Sequence, residues 1–210
     1  MNDAFDPDAF DPDAFDPDAF DPHDGTCGWA NGSPAMRRYH DAEWGVPSRD
    51  DRHLFEMLLL EGAQAGLSWA TILGRRSGYA AAFHDFDVEA VATMGDDELE
   101  QLMADPGIIR NRLKIFGART NALAFQRVQQ EFGSFAAYLW GWAPGGEPIV
   151  GHPRGLGDLP ATTELSDRLS KDLKKRGFTF VGSTIVYAYL QSTGVVDDHV
   201  DTCPRKVVGR

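Results

Sequence analysis

Residues 171–203 read KDLKKRGFTFVGSTIVYAYLQSTGVVDDHVDTC and predict two helices joined by a short connection. The first helix ends in a run of basic residues followed by Gly177, a residue suited to the left-handed conformation that terminates many helices. Gly182 closes the connection, and the second helix runs to about residue 193. The loop behind it places three aspartates, a histidine and a cysteine within seven residues. One stretch therefore combines a candidate anion-binding turn with candidate metal ligands.

The composition is typical of a soluble globular protein, with 210 residues of which 42% are hydrophobic and 25% charged. The sequence contains no apolar run of the ~18–20 residues that a membrane span needs. It also contains no basic-then-apolar export signal, so we expect a cytoplasmic protein without membrane contact. The two cysteines, Cys27 and Cys203, lie far apart in the chain. In the cytoplasm such a pair indicates metal ligands or buried thiols rather than a disulfide.

The net charge of -12 is concentrated at the N-terminus. Residues 3–22 are four identical copies of DAFDP, and residues 1–24 hold nine acidic residues and no Lys or Arg. Residues 25–210 carry 23 acidic against 20 basic residues, so the total charge does not exclude a nucleic-acid partner. The regular prolines and repelling aspartates predict a disordered tail. It is either a repeat expansion without a role, or a segment that binds a partner or mimics DNA phosphates.

The rest of the chain predicts helices of ordinary length and no strand, hence an all-α fold. Candidate N-cap residues precede apolar residues at helical spacing. We expect helices from residue 50 or 51 to about 65, from 68 across 83, short ones from 87 and 96, and others over about 108–132, from 134 towards 142, over 164–176 and over 183–193. Residues 143–161, rich in Pro and Gly, are predicted to form a loop.

The turn between the last two helices is a candidate phosphate-binding element. A glycine-flanked turn that leads into a helix N-terminus presents unpaired N–H groups and a favourable dipole to an anion. Lys174, Lys175 and Arg176 stand directly before the turn, and Ser183 or Thr184 is expected to cap the second helix. The same pattern also suits an ordinary helical hairpin with a solvated basic face, and the spacing does not decide between the two.

Two cysteines and two histidines form a candidate metal site. Twelve residues separate Cys27 from His40, and three separate His199 from Cys203. Such a ligand set suits a closed tetrahedral zinc site. It would join the two ends of the fold across a loop of about 170 residues, where a cross-link removes much conformational entropy. The alternative is a pair of buried cysteines and two surface histidines.

Two carboxylates are candidates for chemistry. Glu61 ends an apolar run eight residues before Trp69. It either lies at a solvated helix end or pairs with an arginine, or it accepts hydrogen bonds from a ligand in a pocket walled by Trp69 and Tyr39. Asp197, in the sequence VVDDHV, either belongs to a polar loop or faces the phosphate-binding turn. In the second case it could orient water or stabilise a developing cation.

Together these segments resemble the 3-methyladenine DNA glycosylase I family, within the helix-hairpin-helix glycosylase superfamily. The resemblance lies in CGW (27–29), YHDAEWGVP (39–47), LFEMLLLEGAQAGLSW (54–69), GIIRNRLKI (107–115), LSKDLKKRGFTFVGSTIVYAYLQSTGVVDDHV (169–200) and Cys203. It indicates a glycosylase domain over residues 25–205, between the acidic tail of residues 1–24 and a short C-terminal segment of residues 206–210.

The resemblance implies a monomeric enzyme that hydrolyses the N-glycosidic bond of 3-methyladenine in alkylated double-stranded DNA. It implies the following site residues: one structural zinc ion on Cys27, His40, His199 and Cys203; a base pocket of Glu61, Trp69 and Tyr39; DNA binding by Lys174, Lys175, Arg176, Gly177, Gly182 and Ser183; and Glu61 and Asp197 as catalytic groups. The wider superfamily carries a catalytic Asp in this sequence context. Characterised members of this branch can carry Asn at the position of Asp197 instead, so the catalytic role of Asp197 does not follow from the branch.

The lyase branch of the superfamily carries a nucleophilic lysine in its hairpin. Thr179 and Ser183 occupy the nearby positions here, so a monofunctional glycosylase without strand cleavage is expected. Two rival interpretations are a helix-hairpin-helix protein that binds DNA without catalysis and a zinc hydrolase. The first has no need of a base pocket, and the second needs a metal with an open coordination position.

Overall fold

The structure is a computed structural model that describes residues 25–206, and this part of the chain is mostly helical. The acidic tail and residues 207–210 lie outside the described residues. The described helices are α1 (Pro34–Ala42), α2 (Asp51–Gln64), α3 (Trp69–Leu73), α4 (Arg76–Ala82), α5 (Val88–Thr93), α6 (Asp96–Gln101), α7 (Arg112–Phe132), α8 (Phe135–Trp140), α9 (Glu164–Lys175) and α10 (Ser183–Ser192). Within residues 25–206, no helix is long and apolar enough to cross a membrane.

Local capping explains where most helices begin. The side chain of Asp50 accepts a hydrogen bond from the N–H of Arg52 at the start of α2. Ser68, Asp87 and Ser134 cap α3, α5 and α8 in the same way. Each of these side chains satisfies an N–H group that lacks a partner inside its helix. The helix starts predicted at these four positions are confirmed.

The structure differs from the sequence prediction at several places. Helix α1 lies in a segment for which the sequence predicts no helix. The helix expected from residue 68 across 83 is two helices, α3 and α4, with a break at Gly74, where glycine weakens the helical conformation. The long helix begins at Arg112 rather than near 108, because Asn111 caps it. The loop of residues 143–161 contains a two-residue strand, β1 (Ile149–Val150), which pairs in parallel with β2 (Val196–Asp197).

The core is built around α2 and α7. Leu54, Phe55 and Leu58 of α2 are almost completely buried. The ring of Phe55 lies 5.2 Å from that of Phe125 on α7, and Phe125 stacks on Phe135 of α8 at 4.0 Å. Burial of apolar side chains of this size stabilises the fold by roughly 1.5–3 kcal/mol for each of them. The core therefore fixes α2 as the central helix.

Backbone contacts bring the segment after α1 against the end of α10. The N–H of Gly45 donates to the carbonyl of Gln191 at 3.1 Å, and the N–H of Ser48 donates to that of Thr193 at 3.0 Å. Gly194 has a φ of +70°, and a Cβ there would lie 2.3 Å from the backbone of Val46. Only glycine fits this crossing. The crossing places α1 next to the loop that follows α10.

Candidate functional site

Glu61 is a buried carboxyl group in the last turn of α2. It is 4% exposed, which excludes the interpretation that it lies at a solvated helix end. Burial raises the pKa of Glu61 to about 8, and the nearby Ser192 hydroxyl group opposes only part of this shift. Burial therefore makes the charged form of this carboxyl group unfavourable unless a cation or a hydrogen-bond donor contacts it.

Two aromatic side chains lie together beside Glu61. The ring centroids of Tyr39, on α1, and Trp69, at the start of α3, are 5.0 Å apart with the planes at 45°. Burial, and next the charge of Glu61, raise the pKa of Tyr39 well above its usual range. The indole Nε1 of Trp69 is buried without a hydrogen-bond partner in the described chain. The shared ligand pocket expected for these three residues from the sequence stays a prediction.

Arg76, for which the sequence predicts no role, holds together the helices that carry Glu61 and Tyr39. Arg76 on α4 makes a bidentate contact with Glu56 on α2, at 2.7 and 3.0 Å. Its third contact is with Glu43 at the end of α1, at 2.7 Å. Planar guanidinium groups suit such paired carboxylates. The three charges lie on different helices, 20 and 33 residues apart, so no periodic pattern in the sequence reveals them.

Cys27, His40 and Cys203 converge from the two ends of the described chain. Their ligand atoms all lie within 4.8 Å of one another, and the Sγ atom of Cys203 is 3.5 Å from Nε2 of His40. All three residues are buried, and both cysteines are free thiols. The burial of His40 excludes the interpretation of a surface histidine. These three residues could hold a metal ion.

His199 lies next to this cluster but outside the group of three. Its ring centroid is 4.9 Å from that of His40. In both histidines Nδ1 contacts a carboxylate at 2.7 Å, that of Asp41 for His40 and that of Asp197 for His199. Such contacts leave Nε2 as the nitrogen that can bind a metal. The Nε2 atom of His199 is buried without a hydrogen-bond partner among residues 25–206. The donor set fits a thiolate–imidazole metal site.

Asp197 is fully buried in β2. Its carboxylate accepts a hydrogen bond from the backbone N–H of His199 at 3.1 Å and contacts the ring of the same residue. A catalytic role for Asp197 stays a prediction, and these contacts also let it orient His199. The neighbouring Asp198 accepts hydrogen bonds from Tyr187 and from Gln191, on a polar cleft that the sequence did not predict.

The connection between α9 and α10 exposes the start of α10. Gly177 ends α9 with a φ of +95°, as its sequence position predicts. The N-cap of α10 is Gly182, which offers no side chain to accept a hydrogen bond from the first N–H groups of that helix. The prediction that Ser183 or Thr184 caps α10 is therefore wrong. The hydroxyl group of Ser183 instead contacts Ser166 on α9 at 2.8 Å.

The basic residues before the turn differ in their surroundings. Lys174 and Lys175 are exposed to solvent. The guanidinium group of Arg176 contacts Glu131 at 2.7 Å and Asp172 at 2.6 Å. Arg176 thus links α9 to α7, while the two lysines lie in the last turn of α9, before the connection to α10.

Two aromatic rings next to a buried carboxyl group suit a flat ring with positive charge, and open helix N-termini suit phosphates. A helical fold that carries both has the features of a helical DNA glycosylase. The chain belongs to the methyladenine glycosylase family, whose sequence model matches residues 29–206. The family resemblance seen in the sequence is confirmed.

Relatives of known function cover nearly the whole described chain. DNA-3-methyladenine glycosylase 1 of Escherichia coli (strain K12) is 47% identical over 177 residues, which are 84% of this chain and 94% of the relative. DNA-3-methyladenine glycosylase of Haemophilus influenzae is 42% identical over 180 residues, which are 86% of this chain and 97% of the relative.

Solved structures have the same fold. A crystal structure of 3-methyladenine DNA glycosylase I is 46% identical, aligns with a TM-score of 0.82, and is matched over 85% of this chain and 97% of its own. A structure of the Staphylococcus aureus enzyme, which addresses the basis of 3-methyladenine recognition, is 35% identical and aligns with a TM-score of 0.84. That alignment covers 88% of this chain and 97% of the other.

Proposed function

We propose that this protein is a base-excision repair enzyme that hydrolyses the N-glycosidic bond of 3-methyladenine in alkylated DNA and releases the free base. The observation that carries the proposal is the buried carboxyl group of Glu61 beside Tyr39 and Trp69. The names of the relatives at 42–47% identity support the same activity.

The charge of the substrate explains why a buried carboxyl group is useful. An N3-methylated adenine in DNA carries a positive charge and leaves as a neutral base, so the leaving group is already activated. A cation in contact with Glu61 lowers the pKa of the carboxyl group and stabilises its charged form. Unmodified adenine brings no such charge, so Glu61 stays protonated and accepts poorly. The pocket thus selects the lesion by its charge.

The aromatic pair contributes to the same selection. Tyr39 and Trp69 would stack on the electron-poor base, with a cation–π contribution of about 1–2 kcal/mol when the contact is desolvated. The base must first leave the duplex, at a cost of about a few kcal/mol that a lesion reduces. Glu61 would then accept hydrogen bonds from the exocyclic amine and the ring edge of the flipped base.

Hydrolysis needs only a water molecule at the sugar. The bond between C1′ and the base breaks, the base takes the electron pair and becomes neutral, and water adds to C1′ with loss of a proton. We assign base contact to Glu61 and assign to Asp197 the orientation of His199, because Asp197 contacts that histidine. The turn of residues 177–182 contains no lysine, so the proposed enzyme does not cleave the strand.

The proposed DNA anchor is a helix-hairpin-helix element formed by α9, α10 and their connection. The open N–H groups at Gly182 and Ser183 would bind a phosphate of the duplex. Lys174 and Lys175 would add contacts to neighbouring phosphates, independent of the DNA sequence. Arg176 would support the element from its position between Glu131 and Asp172.

We further propose that Cys27, His40, His199 and Cys203 bind one zinc ion. Bound zinc would supply no chemistry to the reaction, because four protein ligands leave no position for a water molecule. Its effect would be structural, since it ties the start of the described chain to its end. This arrangement argues against the rival interpretation of a zinc hydrolase.

Release of the free base from alkylated duplex DNA tests the proposed activity. The wild-type protein should release 3-methyladenine, detected by chromatography, and Glu61→Gln should lower the rate by about 30–150-fold, equivalent to about 2–3 kcal/mol. Affinity for undamaged duplex should stay unchanged in this variant. Trp69→Ala should behave similarly, because stacking is lost.

The exposed Glu89→Gln on α5 is the matched control, and its excision rate should equal that of the wild type. Base release that survives Glu61→Gln would contradict the assignment of the pocket. Absence of release by the folded wild-type protein would favour the rival interpretation of a DNA-binding protein without catalysis.

The salt dependence of DNA binding tests the anchor. Replacing both Lys174 and Lys175 by Ala should weaken binding to all duplex sequences and flatten the slope of log K against log salt by about 2. Arg52→Ala, a change at an exposed arginine on α2, is the control and should keep the wild-type slope. An unchanged slope in the double lysine variant would place the phosphate contacts elsewhere.

Metal analysis tests the zinc site. The purified protein should contain about one zinc per chain, and His199→Ala should lose it together with about 3 kcal/mol of the free energy of unfolding, as expected for a cross-link across a long loop. His152→Ala, at a largely exposed histidine, should retain both. A protein that never contains zinc, or a His199→Ala variant with full metal content, would contradict the ligand set.

A further inference from the structure

Phe180, in the turn between α9 and α10, has a φ of +55°. Side chains with a Cβ adopt this left-handed region only at a conformational cost, whereas glycine adopts it freely. The chain therefore carries a phenylalanine where the backbone favours glycine. Backbone strain of this kind persists where the surrounding structure enforces it, and it is frequent at functional sites.

Helix α7 holds the turn in this conformation. The side chain of Asn121, which is buried, accepts a hydrogen bond from the N–H of Thr179 at 2.8 Å and donates to its carbonyl at 3.1 Å. Gly117 lies one turn earlier on α7. A Cβ at Gly117 would lie 2.9 Å from the Thr179 hydroxyl oxygen and 3.3 Å from the ring of Phe180. The absence of a side chain at Gly117 thus lets the turn pack closely against α7.

The same turn contacts the helix that carries Glu61. A Cβ at Gly62 would lie 3.2 Å from the Cβ atom of Phe180 and 3.6 Å from its carbonyl oxygen. Gly62 directly follows Glu61, so Phe180 packs on the helical turn that presents the carboxyl group. Lys114 of α7 holds this turn from its end by donating to the carbonyls of Ala63 and Ala65, at 2.7 and 2.9 Å.

A small void borders this contact. Gly62 and Phe180 line it together with Leu58, Ile115 and Asn121, and its volume is about 20 Å³. The void lies between α2, α7 and the hairpin turn, and the contact between Phe180 and Gly62 forms part of its wall. Packed neighbours transmit displacement directly, because protein interiors are dense.

We propose that Phe180 is a positioning residue that couples the hairpin turn to the carboxyl group of Glu61. In this role Phe180 sets the position of the last turn of α2 through its contact with Gly62. A phosphate bound at the start of α10 would fix the turn, and the turn would fix Glu61 for the flipped base. Coupling of this kind is reciprocal, so an occupied pocket also tightens the hold of the hairpin on DNA. The inference rests on the proposed roles of Glu61 and the hairpin.

Phe180→Gly tests the coupling, because glycine keeps the left-handed backbone and removes the side chain. The rate constant of base release at saturating enzyme should fall about tenfold, the size of effect that a slightly misplaced group produces. The affinity for undamaged duplex should change by less than about twofold, because the phosphate contacts remain. Phe180→Leu should restore most of the rate.

Phe116→Ala is the matched control, since this partly buried phenylalanine on α7 faces Arg112 and Arg119. Its rate of base release should equal that of the wild type. A thermal unfolding measurement identifies the variants that fold, and only these are compared in the rate assay. An unchanged rate in Phe180→Gly, or an equal loss of rate and duplex affinity, would overturn the proposal.

A second variant tests the contact itself. Gly62→Ala adds a methyl group towards Phe180 and should lower the rate of base release. In the double variant Gly62→Ala with Phe180→Gly, the missing phenyl ring leaves space for that methyl group. The double variant should therefore release base faster than the two single effects, added together, predict. Additive effects would overturn the coupling. Glu61→Gln in the same assay separates a failure of the proposed pocket from a failure of the coupling. If this variant excises the base normally, the proposed pocket is wrong, whatever the Phe180 variants show.

Discussion

The burial of one carboxyl group, that of Glu61, is the constraint on which the proposed site depends. A pKa raised from 4.5 to about 8 corresponds to a cost on the order of 5 kcal/mol for ionising the group inside the protein. A cationic base that enters the pocket offsets this cost, and a neutral base does not. The unfavourable burial of the Glu61 carboxyl group would thus let the protein discriminate a methylated base from an unmodified one.

The rest of the structure holds the surroundings of Glu61 in place. Tyr39 and His40 are adjacent on α1, so the aromatic wall and the cysteine–histidine cluster share one helix. Arg76 ties the end of α1 to α2 and α4 through two carboxylates. Phe180 brings the hairpin turn against the residue after Glu61. The proposed DNA anchor, the proposed metal ligands and the proposed pocket are therefore joined by packing rather than arranged separately.

Features encoded over a few residues could be predicted from the sequence. The N-caps at Asp50, Ser68 and Ser134 and the helix end at Gly177 follow from local side-chain chemistry. The family motifs allowed the pocket and the ligand set to be proposed, although His199 lies outside the tight group of three ligands. Other features join residues that are distant in sequence, so no local periodic pattern predicts them. These features are the ion pairs of Arg76, the β1–β2 pairing and the contact of Phe180 with Gly62. The N-cap of α10 was missed because the hydroxyl group of Ser183 finds a partner on α9.

Titration of Glu61 by NMR, with ¹³C-labelled glutamate and the signal assigned by its loss in Glu61→Gln, measures the central constraint directly. We expect the carboxyl signal of the free protein to titrate at about 8. The free energy of unfolding should then include a contribution that is present below pH 4.5 and is lost as the pH rises through about 8. A midpoint near the ordinary value of 4.5 would mean that the carboxyl group is solvated or already paired, and would contradict selection by a buried, uncharged Glu61.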